Sequence, residues 1–257
     1  MNPKKFWKIL LFVNCSLLLL CGSVLGSVVD LITNGDFEGG FYDDGTGDMV
    51  PNGWVKDEGR PEEGATLTEV EGKDGGSAVR WTRLNGGSTG DHLHIVQDVN
   101  VDVDNYRSII LIIDVYVIYH NLEAGGWATP AFEWPVYVYI PYTATDGSQQ
   151  HWKFGWYLDP PGDGSRTQDP GTGLVRIYRD KKVPAETWVS EMLLLKTALP
   201  KVKTIDKIVV GGAGWDYVGQ ADNVRLLGVP KGSAPSVELS VSSKGKMSAT
   251  WGQIKSK

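Results

Sequence analysis

Two short stretches, Asn34-Gly35-Asp36-Phe37-Glu38 and Ala221-Asp222-Asn223-Val224-Arg225-Leu226, decide how the rest of the chain is read. They bracket almost all of the strand-like sequence. The first closes an apolar run with an asparagine, an aromatic ring and carboxylates. The second sets an aspartate before alternating apolar residues, as a strand with one buried face does. Between them no long stretch carries helical periodicity. Short apolar or alternating segments recur instead, separated by glycine-rich and proline-rich turns, which is the pattern of an antiparallel sandwich.

Working outward, strands are expected at 28–37, 65–71, 78–84, 92–99, 108–119, 136–142, 150–158, 174–178, 188–195, 207–211 and 222–227. That number is enough for two packed sheets. The stretches 39–53 and 159–173 concentrate glycine, aspartate and proline and read as long surface loops. Beyond Val229, Pro230-Lys231-Gly232-Ser233-Ala234-Pro235 reads as a linker, and the polar, basic stretch to Lys257 as a frayed tail. No internal repeat is evident.

The N-terminus predicts export. Three lysines within Met1 to Lys8, the apolar run Ile9 to Leu20 and the small residues Gly22, Ser23, Gly26 and Ser27 describe a secretory signal peptide cut after Gly26. The expected organisation is therefore a signal at 1–26, a β-domain at 27–229 and a linker with tail at 230–257. Such a protein is secreted or held at the cell surface, with no membrane span in its mature form. Two alternatives stay open, an uncleaved anchor and lipidation at Cys21, although Leu18-Leu19-Leu20 lacks the small residue usual before a lipidated cysteine. Cys15 and Cys21 both lie inside the signal, so the mature chain has no thiol and relies on its core, a bound ion, or both. Losing Lys4, Lys5 and Lys8 moves the formal charge from −6 to −9. That acidity argues against nucleic acid or an anionic membrane as the main partner and is compatible with neutral glycans or cations.

The two opening motifs resemble the first and last strands of carbohydrate-binding modules with the galactose-binding-like jelly-roll fold. Further segments extend the resemblance. Gly72-Lys73-Asp74-Gly75-Gly76-Ser77-Ala78-Val79-Arg80 looks like the glycine-lysine turn of these modules. Leu93, Ile95, Gln97 and Val99 look like their strand with an inward glutamine, followed by Tyr106. Trp188, the run 205–212 and 222–226 are similar to the closing strands, so the likeness spans roughly 28–228. It implies an all-β, two-sheet antiparallel β-sandwich that binds a polysaccharide or glycan. It also implies a structural calcium held by Glu38, the carbonyl of Lys73 and the side chain of Asp222, with Asp36 as a further contributor. Oxygen ligands gathered from distant segments suit that ion. The alternative is that Glu38 and Asp222 cap turns.

A glycan would be held by aromatic faces, with polar groups satisfying its hydroxyls. Alternation on Val136-Tyr137-Val138-Tyr139-Ile140 sets the tyrosines opposite the aliphatic residues. The same parity sets Asp114 and Tyr116 against Ile113, Val115 and Val117, and His151, Lys153 and Tyr157 against Trp152, Phe154 and Trp156. Tyr116, Tyr137, Tyr139 and Tyr157, with Asp114 and Lys153, are thus expected to line one concave sheet face. Trp54, Trp127, Trp134 and Trp215-Asp216-Tyr217, beside glycines, form a competing loop-tip site, although Pro51-Asn52-Gly53-Trp54 resembles the position at which these modules pack a tryptophan after the first loop. An ordinary solvated face with scattered tyrosines is the alternative to both.

Catalysis is less well supported. No pairing motif for a glycoside-cleaving acid and base stands out, and the mature chain has no catalytic cysteine, no GxSxG elbow and no phosphate-binding loop. His92-Leu93-His94 could present two imidazoles on one strand face to a metal, but alternation does the same for any HxH, and a pair of surface histidines is the favoured alternative. Three classes remain: a non-catalytic glycan-binding module, a jelly-roll glycoside hydrolase or polysaccharide lyase, and a surface protein using the same sandwich for protein contacts.

Overall fold

The computed structural model describes residues 28–59, 64–84, 86, 91–121, 134–158, 176–232, 238–239 and 249–250. The expected signal peptide, the loop carrying Trp127 and the 159–173 loop lie outside the described residues.

Fourteen strands build the body of the molecule: β1 (Val29–Asp30), β2 (Phe41–Asp43), β3 (Met49–Pro51), β4 (Val55–Glu58), β5 (Thr66–Glu71), β6 (Ser77–Arg83), β7 (Asp91–Asp102), β8 (Tyr106–His120), β9 (Val136–Ala144), β10 (Gln149–Tyr157), β11 (Arg176–Lys182), β12 (Val189–Leu194), β13 (Val202–Gly214) and β14 (Tyr217–Pro230). One sheet runs β12-β8-β14-β6-β5, with β1 paired to β14, and the other runs β11-β10-β9-β13-β7-β4. Every pairing is antiparallel except the edge pair β10–β11, which is parallel. The protein is an all-β two-sheet sandwich. Its described helical structure is a 3-10 turn at Val103–Asn105 and the single turn α1 (Leu195–Ala198). Among the described residues no helix is long and apolar enough to cross a membrane.

Alternation places the core between the sheets. Leu111, Ile113, Val115 and Val117 of β8 face Val136, Val138 and Ile140 of β9, with Trp81, Trp152, Trp156, Leu93, Ile95 and Val210 filling the same layer. Trp54 is in this core too, its indole nitrogen donating to the carbonyl of Asn34 at 3.1 Å.

The end motifs meet. The Val224 amide donates to the Gly35 carbonyl at 2.7 Å, and Leu31 donates to the Leu226 carbonyl at 2.7 Å. A Cβ at position 35 would stand 1.9 Å from the Val224 carbonyl oxygen, so the approach admits only glycine. Asn34 and Phe37 take left-handed backbone conformations, as does Asn223 at the irregularity between Asp222 and Arg225. These conformations correct the expected strand at 28–37, which is only two residues long and then breaks into turns. The last long strand, β14, stops at Pro230. Within the expected tail, β15 (Glu238–Leu239) and β16 (Ala249–Thr250) form a short antiparallel pair.

Candidate functional site

The outer face of the second sheet carries aligned rows of side chains. In one row Asp57 of β4 stands opposite His94 of β7, His94 opposite Gly211 of β13, Gly211 opposite Tyr137 of β9, and Tyr137 opposite Gly155 of β10. The next row brings together Val96, Val209, Tyr139 and Lys153. The two glycines open the first row. His94 reaches across β13 so that its Nδ1 lies 2.8 Å from the Tyr137 hydroxyl, while its Nε2 lies 2.9 Å from Asp57 Oδ2. Over Gly155 rests the Trp134 indole; a Cβ there would approach its Cδ2 to 2.1 Å.

Lys153 crosses between the rows. Its ammonium lies 3.6 Å from the centroid of the Tyr137 ring and 5.3 Å from that of Trp134, within the range in which a cation is attracted by an aromatic face. Tyr137, Trp134 and Lys153 are buried. Tyr139, His151 and Tyr157 remain half-exposed beside them. The Tyr139 ring stacks on His151 at 5.6 Å and 5°, and its hydroxyl hydrogen-bonds His151 Nδ1. The result is a buried floor of two aromatic rings and a lysine ammonium, with a rim of aromatic and imidazole edges.

Burial sets the electrostatics of this face. It pushes the Tyr137 hydroxyl well above the ordinary phenol range, helped by neighbouring tyrosines and carboxylates, so that the group keeps its proton. Burial, with His94 as neighbour, pushes His92 down to about 4, leaving a neutral imidazole at physiological pH. The hydrogen bond from His94 holds the Asp57 carboxyl below its usual value.

The predicted surface divides in three. Tyr137, Tyr139, Tyr157 and Lys153 share the outer face of the second sheet. Asp114 and Tyr116 belong to β8 in the other sheet and point outward on the opposite side of the molecule. The expectation of one concave face holding all six is corrected, because alternation fixes which side of a strand a residue takes but not which sheet the strand joins. Tyr137 also differs from its expected exposure, being buried beneath Lys153 and beside His94. Trp134, read as a loop tip, is buried on Gly155, while Trp215 is 39% exposed and Trp127 lies outside the described residues.

On the first sheet Asp114 is engaged structurally. Its carboxylate accepts from Lys73 Nζ at 2.9 Å, from Asn223 Nδ2 at 2.9 Å and from the Ser190 hydroxyl. Tyr116 packs on Trp188 with ring centroids 5.1 Å apart.

The segments expected to hold calcium do converge. Glu38 Oε1 accepts from the Ser77 amide at 3.0 Å and Asp222 Oδ2 from the Lys73 amide at 3.0 Å, so the two carboxylates grip opposite ends of one turn. A Cβ on Gly76 would fall 1.8 Å from Glu38 Oε1, which marks a cradle shaped for that carboxylate. These hard oxygens suit calcium in type. Asp36 is half-buried nearby in sequence. The feature that sequence reading did not reach is Asp57, whose distance in sequence from His92 and His94 gives no local signal of their meeting.

No family model matches this chain, and no curated protein does. Solved structures similar to it include a family 11 carbohydrate-binding module from Clostridium thermocellum in complex with a β-1,3-1,4-mixed-linked tetrasaccharide. That structure is 14% identical, with a TM-score of 0.38, over 74% of this chain and 96% of the other. A family 16 carbohydrate-binding module is 13% identical, with a TM-score of 0.42, over 76% and 98%. A CBM22-1 xylan-binding domain from Paenibacillus barcinonensis is 10% identical, with a TM-score of 0.38, over 79% and 97%. At this level the likeness is one of strand layout and gives no residue-by-residue correspondence.

Proposed function

We propose that this protein is a secreted, non-catalytic β-sandwich that binds a glycan on the outer face of its second sheet. The observation that supports it is the half-exposed rim of Tyr139, His151 and Tyr157 around a buried floor of Tyr137, Trp134 and Lys153. Aromatic rings offer a sugar its apolar C–H faces, and the hydroxyl and imidazole edges offer hydrogen bonds. Burial of the floor fixes the rim before a ligand arrives, which limits the ordering cost of binding. Binding of the chain to a panel of soluble glycans and insoluble polysaccharides tests this reading, with reducing ends assayed in the same samples. Saturable binding without release of ends supports it.

A structural calcium between Glu38, Asp222, Asp36 and the carbonyl of Lys73 belongs to the same reading. Its role is to tie the 34–38 segment, the 72–77 turn and the start of the last strand into one unit. Adding calcium to chelator-treated protein is expected to raise the unfolding temperature, and Glu38→Gln to abolish that rise. An unfolding temperature indifferent to calcium contradicts the assignment.

One observation favours a catalytic second reading: the Asp57, His94 and Tyr137 side chains form a continuous hydrogen-bonded series. A histidine held between a carboxylate and a hydroxyl is an arrangement that can take up and return a proton. Appearance of new reducing or unsaturated ends, lost in Tyr137→Phe, would move the assignment to a polysaccharide-cleaving enzyme.

A further inference from the structure

Asp57, His92 and His94 lie at the β4–β7 edge of the same face, and we propose that they form a binding site for a divalent cation of the zinc class. The two histidines alternate on β7 and so share one side of the strand, with their rings stacked at 4.6 Å and 12°. Asp57 comes from the neighbouring strand, directly opposite His94. One ligand atom from each of the three lies within 4.8 Å of the others, the one such group of three among the described residues.

The spacing suits coordination. Tetrahedral ligands about 2.0–2.1 Å from zinc stand roughly 3.3 Å from one another. His94 Nε2 and Asp57 Oδ2 are already 2.9 Å apart, so an ion enters with a separation of a few tenths of an ångström. The other nitrogen of His94 is tied to the Tyr137 hydroxyl at 2.8 Å, the kind of outer contact that fixes the ring of a ligating histidine. Close passage over Gly211, where a Cβ would stand 2.3 Å from His94 Cβ, leaves His94 the room to hold that pose.

Two nitrogens and one oxygen select zinc or a late first-row metal over calcium or magnesium, which take all-oxygen sets. Asp57 is 60% exposed in its side chain and His94 12%, so the site is anchored on its inner side and open to solvent on its outer side. An open fourth position admits water or a ligand oxygen. This assignment stands on different residues from the calcium reading and does not depend on glycan binding.

The test uses the full chain without a histidine tag, with Cys15 and Cys21 alkylated so that no thiol competes. Zinc chloride is titrated calorimetrically, and cobalt chloride is followed by its visible absorption as a report of coordination geometry. The expected result is one saturable site, with cobalt giving the intense bands of a four-coordinate ion. His92→Asn or His94→Gln should weaken zinc binding by at least about a hundredfold. Tyr137→Phe, which removes only the outer contact, should weaken it by about tenfold. Asp57→Asn changes one exposed side chain, so it separates loss of a ligand from loss of folding, and it too should weaken binding at least tenfold. No saturable zinc binding by the folded wild-type chain, or wild-type affinity in both Asp57→Asn and His92→Asn, overturns the proposal.

Discussion

The Lys153 ammonium sits 3.6 Å from the centroid of the Tyr137 ring, and both residues are buried on the same sheet face. A lysine withdrawn from water in this way is retained only where its surroundings replace hydration. A desolvated cation over a ring is worth about 2 kcal/mol. A double-mutant cycle of Lys153→Met and Tyr137→Leu, read by chemical denaturation, should therefore show a coupling of about that size. Additive losses would mean that the ring contributes nothing to holding the cation.

Asp114 predicts a second effect on the opposite sheet. Its side chain is 3% exposed and its carboxylate bonds Lys73 Nζ, whose own side chain is 28% exposed. Removing one partner of a buried pair strands the other charge, at a cost of about 3–5 kcal/mol. Lys73→Met should fall near the lower end of that range, because Ser190 and Asn223 still contact Asp114. Asp114→Asn in the Lys73→Met background should recover much of the loss, since the amide carries no charge to leave uncompensated.

Acid sensitivity should trace in part to His92. Its folded pKa is depressed to about 4, first by burial and then by His94, with Lys153 adding to the effect and Asp57 opposing it. The unfolded chain titrates near its ordinary value of about 6.5. Between these values the unfolded state binds more protons, so stability rises with pH from about 4 to about 6.5 and is lost on acidification through that window. His92→Asn should flatten this part of the profile of unfolding midpoint against pH, measured in chelator. An unchanged slope would assign the acid sensitivity to other groups.

Much of the fold was legible because alternation is a strong constraint. Val136, Val138 and Ile140 against Tyr137 and Tyr139, and Trp152 and Trp156 against Lys153, separate into core and outer face as their period predicts. The end motifs were legible as a pair, and the hydrogen bond from Val224 to the Gly35 carbonyl joins them. Sheet membership is not legible in strand parity, which therefore puts Asp114 and Tyr116 on one face with Tyr137 although β8 and β9 belong to different sheets. Nor were long-range contacts such as Asp57 with His94 or Trp134 with Gly155, since each depends on register between strands distant in sequence. The left-handed conformations at Asn34 and Phe37 end the expected strand early, where Asn34-Gly35-Asp36 already carries turn-forming residues.

The central claim is that the rim of the second sheet holds a glycan, and its most direct measurement compares wild type, Tyr139→Ala and Tyr157→Ala on whichever saccharide the panel identifies. The account predicts saturable binding by wild type and a roughly tenfold or greater loss in each variant, about 1.4 kcal/mol for an aromatic contact of this kind. The unfolding midpoints should change little, because both rings are only half-buried. Undiminished binding in both variants, or no binding by a folded wild-type chain to any saccharide tested, would contradict it.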